Sequence, residues 1–124
     1  MKFRLAHLNL NVKDMDASLK FYKEQLGMRE VKRYKPEDDS FIIVFLEDEY
    51  KTKFNLELTW MRNHPQKYDL GEEEYHLAFY VDEYEKLKKQ HKEAGLISYD
   101  TEGKGYHFIL DPDGYWLEFF PERK

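Results

Sequence analysis

Four side chains stand out by residue type and position. His7 and His76 open alternating segments, His7-Leu8-Asn9-Leu10-Asn11-Val12 and His76-Leu77-Ala78-Phe79-Tyr80-Val81. Glu57 and Glu118 interrupt apolar ones, Asn55-Leu56-Glu57-Leu58 and Trp116-Leu117-Glu118-Phe119. A carboxylate withdrawn from water in a strand is costly unless paired or bound to a cation, and the basic groups expected beside these two are the histidines. Neutral imidazole nitrogens with two carboxylate oxygens suit a divalent first-row metal, whose charge the glutamates neutralise. Four protein ligands leave two octahedral positions for water or for neighbouring substrate oxygens. That arrangement lets a metal stabilise an enediolate formed by proton abstraction beside a carbonyl. Taken singly, a histidine at a strand start is more often structural, and a strand glutamate more often faces solvent. Four such residues at matching places make the metal reading the stronger one. His64, His91 and His107 fall outside the pattern and are expected at the surface or in packing, and Glu72-Glu73-Glu74 as a solvated loop.

The elements that must position these groups follow from periodicity. Residues 3–12 alternate with the two-residue period of a strand, with Leu8, Leu10 and Val12 on one side and His7, Asn9 and Asn11 on the other. Asp14 is a plausible N-cap for a helix carrying Leu19, Tyr22 and Leu26, and Gly27 stands where a left-handed residue ends such a helix. Phe41–Leu46 reads as a buried strand and Lys53–Trp60 as an alternating one, with Asn55, Glu57 and Thr59 on its polar side. The first half is therefore β-α-β-β, with room for one more strand at Met28–Tyr34. After a connector the opening pattern returns: His76–Val81, a helix bearing Tyr84, Leu87, His91 and Ala94, Gly95, and strands at Tyr106–Leu110 and Tyr115–Phe120. Asp111-Pro112-Asp113-Gly114 is a strong turn between those last two strands. The interval from His to Gly is nearly equal in the two halves, which predicts an internal duplication with module one at 1–62, a connector at 63–74 and module two at 75–124. Two unrelated amphipathic β-α units would resemble each other less closely at the histidines. If helices cover the aliphatic faces, two histidines and two glutamates should meet on the opposite, concave side.

Composition narrows the field. The 124 residues carry a formal net charge of −5 with no long basic run, which disfavours nucleic acid and anionic membrane as partners. With no cysteine, any metal must be held by nitrogen and oxygen. The segment Met1-Lys2-Phe3-Arg4-Leu5-Ala6 meets charge too soon for a signal-peptide core and no apolar run approaches a membrane span, so a cytoplasmic protein is expected.

These residues resemble the vicinal oxygen chelate superfamily, which includes bleomycin resistance proteins and dioxygenases, and within it the short bacterial type of glyoxalase I, or lactoylglutathione lyase. The likeness runs through the strand with His7, Ser18-Leu19-Lys20-Phe21-Tyr22 to Leu26-Gly27-Met28, Leu56-Glu57-Leu58-Thr59, Lys67-Tyr68-Asp69-Leu70-Gly71, His76-Leu77-Ala78-Phe79, and Asp111-Pro112-Asp113-Gly114-Tyr115 up to Glu118. It implies an α+β fold of two tandem βαβββ modules whose curved mixed sheets surround a metal, in a homodimer where each site takes two ligands from each subunit. His7, Glu57, His76 and Glu118 match the metal ligands. Glu118 also matches the proton-shuttling base, and Glu57 is the second catalytic carboxylate. The implied metal is Ni2+ first, with Co2+ or Zn2+ as alternatives. The implied reaction converts the hemithioacetal of methylglyoxal and a thiol into an S-lactoyl thioester through a metal-bound enediolate.

Two positions depart from that pattern: Asn11 stands where the bacterial enzymes carry an arginine that grips a glutathione carboxylate, and Met61 where they carry an asparagine. Neutral Asn cannot reproduce an arginine fork, so the thiol is glutathione or another. Asn11, Thr59, Met61, Arg62 and Trp116 are the candidate substrate contacts. Competing readings are another metalloenzyme of the superfamily, an epimerase of an acyl-coenzyme A ester or a thiol transferase, and a non-catalytic drug binder whose dimer groove is lined by Trp116, Phe120, Tyr80 and Trp60. Retention of all four ligands counts against the binder.

Overall fold

The computed structural model describes residues 1–122. The chain is α+β and falls into two compact units, Met1–Tyr68 and Asp69–Lys124, each with the order βαβββ that the family resemblance implies. In the first unit these are β1 (His7–Asn11), α1 (Met15–Leu26), β2 (Arg29–Tyr34), β3 (Phe41–Glu47) and β4 (Asn55–Met61). In the second they are β5 (Leu77–Val81), α2 (Tyr84–Glu93), β6 (Ile97–Asp100), β7 (His107–Leu110) and β8 (Trp116–Pro121). The optional strand at Met28–Tyr34 is real, and β6 is a strand that periodicity did not indicate. The opening strand is shorter than its alternation suggests: Phe3 and Leu5 precede β1 and are exposed.

Each unit is one mixed four-stranded sheet, ordered β1-β4-β3-β2 or β5-β8-β7-β6. The first and last strands of each unit pair in parallel and the remaining neighbours antiparallel. A parallel pair needs a long crossover, and the helix of each unit lies within that connection. The Asp14 carboxylate accepts from the Ala17 amide to start α1, and left-handed Gly27 ends it by donating to Lys23 O while Met28 donates to Tyr22 O.

The core lies on the helix-covered side of each sheet. In the first unit it is mostly aliphatic: Val44, Leu46, Leu56 and Leu58 are buried with Met15 and Tyr22 of α1. The second unit buries Ile109, Leu117 and Phe119 beside a polar set. There Tyr84 Oη lies 3.0 Å from His107 Nδ1, and His107 Nε2 lies 2.9 Å from His91 Nδ1. His107 also stacks on Phe119. Of the three histidines assigned to surface or packing, His91 and His107 are therefore packing residues. Burial, then the neighbouring His91 and Lys88, push the His107 pKa down to about 4, and burial lowers that of His91.

A depressed histidine pKa means that the unfolded chain binds the proton first. Wild-type stability from this cluster is full above about 6.5 and declines as pH falls toward about 4. Replacing His107→Gln is expected to lower stability at neutral pH, with the gap to wild type closing as pH falls through that window. Denaturant titrations at several pH values check this, and a gap that stays constant would contradict it.

Candidate metal centre and substrate face

Strand parity sorts each sheet into a helix face and an open face. On β4, Leu56, Leu58 and Trp60 alternate with Asn55, Glu57, Thr59 and Met61, and the leucines are buried against the helix side. Parallel register sets His7 opposite Asn55 and Asn9 opposite Glu57, so that His7 Nε2 stands 3.5 Å from a Glu57 carboxylate oxygen. In the second unit His76 Nε2 stands 3.3 Å from a Glu118 oxygen. The carboxylates are the more sheltered partners, with side chains 14% and 17% exposed against 43% and 46% for the imidazoles. A phenylalanine completes each set. Phe45 is paired with Glu57 and meets the His7 ring edge-to-face at 5.6 Å; Phe108 is paired with Glu118 and meets His76 in the same way at 5.3 Å.

Two donors each about 2.1 Å from one ion are separated by about 3.0 Å at a right angle and about 3.4 Å at the tetrahedral angle. The His–Glu separations fit adjacent ligands of one metal. Among the described residues no group of three or more His, Asp or Glu side chains forms a metal cluster, so the structure presents the donors as one pair within each unit.

The surroundings of the pairs differ. Beside His7 and Glu57 runs an amide–hydroxyl row in which Thr59 Oγ1 donates to Asn9 Oδ1 at 2.5 Å and Asn9 Nδ2 to Asn11 Oδ1 at 2.8 Å. Met61 ends the same face, 39% exposed. Arg62 and Trp60 instead line a groove on the helix side of the first unit, with Ile42, Arg33 and His64. Trp60 thus lies on the opposite face from Glu57. In the second unit Glu118 and Phe120 border a cavity of about 440 Å3 with Lys104, Gly105 and Tyr106. Trp116 lies on that face and its indole donates to Glu73 at 3.3 Å, so part of the acidic loop is tied down. Tyr80 packs edge-on against Phe120.

Lys104 escaped the sequence reading. Its signal was the Gly103-Lys104-Gly105 triplet, whose glycines both adopt left-handed φ, 85° and 84°, and shape the loop at the cavity. The turn after β7 is better anticipated. Asp111 Oδ1 accepts from the amides of Asp113 and Tyr115, both at 2.9 Å, and Gly114 has φ 91°. This turn sets the β7–β8 register that puts Phe108 opposite Glu118.

Residues 4–119 match the model of the Glyoxalase/Bleomycin resistance protein/Dioxygenase superfamily. A lactoylglutathione lyase of Neisseria meningitidis serogroup A is 31% identical over 131 residues, covering 97% of this chain and 91% of the relative. The solved structure of the trypanothione-dependent glyoxalase I of Leishmania major superposes with a TM-score of 0.83 at 31% identity, over 98% of this chain and 88% of that one. The fosfomycin resistance protein FosX of Listeria monocytogenes shares the fold, with a TM-score of 0.70 at 16% identity, over 99% of this chain and 94% of that one.

Proposed function

We propose that this chain, which belongs to the Glyoxalase/Bleomycin resistance protein/Dioxygenase superfamily, is a lyase of the glyoxalase I type that isomerises the hemithioacetal of methylglyoxal and a thiol to the S-lactoyl thioester. The observation that carries this reading is the repeated His–Glu pair, each with donors spaced as adjacent ligands of one ion. Its glyoxalase I-like relatives support the same class.

His7, Glu57, His76 and Glu118 would hold one divalent metal, Ni2+ first, with Co2+ or Zn2+ as alternatives. Such a cation polarises neighbouring substrate oxygens and makes the adjacent C–H acidic. Glu118, at the wall of the cavity, is the base. It takes the proton from the carbon bearing sulfur and hydroxyl and returns it to the neighbouring carbon, so no oxidant or second substrate is consumed. Glu57 is the second carboxylate, balancing charge from the other pair. Lys104 offers the cavity a cation, Asn11, Thr59 and Met61 are contacts on the first unit's face, and Trp116 is one on the second's.

Two pairs are needed to fill the coordination shell, and we assign them to two copies of the chain in a homodimer. Apolar side chains on the open faces support an additional cover: Met61, Leu110, Tyr80 and Tyr99 are 39%, 38%, 55% and 56% exposed. No helix among the described residues is long and apolar enough to cross a membrane, and we place the enzyme in the cytoplasm.

Thioester formation from methylglyoxal and a panel of thiols tests the activity. Glu118→Gln is expected to lower kcat by about 10²–10⁴-fold, the usual contribution of a positioned base. If nickel-loaded wild type gives no gain over this variant with any thiol, the activity is wrong.

Metal dependence has its own test. Chelation should abolish turnover and Ni2+ should restore it, while His76→Ala should weaken Ni2+ binding by at least tenfold by calorimetry. Undiminished binding in that variant would remove His76 from the ligand set.

A further inference from the structure

We propose that Lys32 is a specificity-determining residue that receives a carboxylate of the thiol cosubstrate. The inference rests on the lyase reading above and concerns the thiol that it leaves open. With Asn11 at the first strand, β1 gives the first unit's open face no arginine. A cation reaches that face from the far side of the sheet instead. On β2 the pairing runs Glu30 to Leu46 and then Lys32 to Phe45, with Val31 as an extra residue in a bulge. Without the bulge Glu30 and Lys32 would share a face. With it, Glu30 stays opposite Leu46 on the helix side, and Lys32 is re-aimed onto the face of Glu57. The Lys32 ammonium then sits 5.7 Å from the centroid of Phe45, whose ring touches His7.

The second unit repeats the device. On β6, Ile97 pairs with Ile109 and Tyr99 with Phe108, so a bulge at Ser98 turns Tyr99 onto the face of Glu118. Both units therefore carry a row of His, Glu, Phe and one bulge-aimed side chain. The first three agree between the units and the fourth differs: Lys32 in one, Tyr99 in the other. A position kept by backbone geometry while its chemistry changes suits selection of a substrate group. Nearby, the Arg29 guanidinium donates to Glu47 at 2.7 Å and Arg33 is held by Glu30, whereas Lys32 makes no ion pair with any described residue. Lysine on an edge strand can simply discourage sheet-to-sheet pairing. That role would not change with the substrate's charge.

The test compares the methylglyoxal hemithioacetals of glutathione and of its diethyl ester, together with direct binding of S-methylglutathione, an unreactive thioether. Loss of a charge-assisted hydrogen bond predicts that Lys32→Gln raises KM for the glutathione adduct about tenfold, with kcat within twofold and the ester unaffected. Lys32→Arg should retain most of the preference. Arg33→Gln, an equal charge change on the helix side of the same strand, should leave it unmoved. S-methylglutathione should bind Lys32→Gln about tenfold more weakly, whether or not any thiol is turned over. Turnover with an unchanged glutathione-to-ester ratio in Lys32→Gln would overturn this inference and leave the lyase reading intact. Lys32-dependent binding without turnover would do the reverse. Failure of wild type to bind S-methylglutathione would also overturn it.

Discussion

The parallel pairing of the first and last strands in each unit is the constraint on which the rest depends. Parallel neighbours cannot be joined by a tight turn, so the chain must cross over, and the crossover carries a helix that covers one face of the sheet. The covered face becomes the core, where Leu56, Leu58, Leu117 and Phe119 are buried. The other face is left open, and His7 and Glu57 stand on it. The same pairing sets His7 one pleat away from Glu57, close enough for their side chains to approach within 3.5 Å. Sliding β1 by one residue would send His7 to the helix side and Leu8 to the open one.

Histidine serves two purposes in this chain. His7 and His76 face outward beside carboxylates, whereas His91 and His107 lie within the second unit's core, hydrogen-bonded to each other and, through His107, to Tyr84. The first unit meets the same packing need with aliphatic side chains and Tyr22. A polar core is tolerable only where its groups find partners, and one is left over: His91 Nε2 is buried without a hydrogen bond among the described residues. Desolvation at that pair favours neutral rings.

Much of this was legible because a two-residue period is hard to disguise. Parity alone put Glu57 with Asn55 and Thr59, Asp14 and Gly27 marked the ends of α1, and Asp-Pro-Asp-Gly marked a turn. What escaped depended on shifts or meetings that no local pattern records. Ile97–Asp100 is a four-residue edge strand with one aliphatic residue, too short to show alternation. The bulges at Val31 and Ser98 reverse parity without the glycine that often marks such a site, so Lys32 reads as sharing a face with Glu30. His91 and His107 meet only because α2 packs over β7 and β8. Nothing in either segment alone indicates a partner.

The two open faces also show how a repeated βαβββ unit keeps one set of side chains and varies another. The His–Glu–Phe sets are nearly superimposable in kind, with separations of 3.5 and 3.3 Å between donors and 5.6 and 5.3 Å between rings. Around them the first unit presents Asn9, Asn11 and Thr59 in a hydrogen-bonded row, and the second presents Tyr80, Trp116 and Phe120. Under the proposed metal assignment, ligation demands fixed distances, so these residues cannot drift separately. Contacts with an organic ligand demand only matching polarity, and they can change one side chain at a time. A ligand of the first face meets amides and a lysine, and a ligand of the second meets rings and the cavity beside Glu118. In the proposed enzyme, substrate preference can therefore be altered at the outer positions without disturbing the inner pairs.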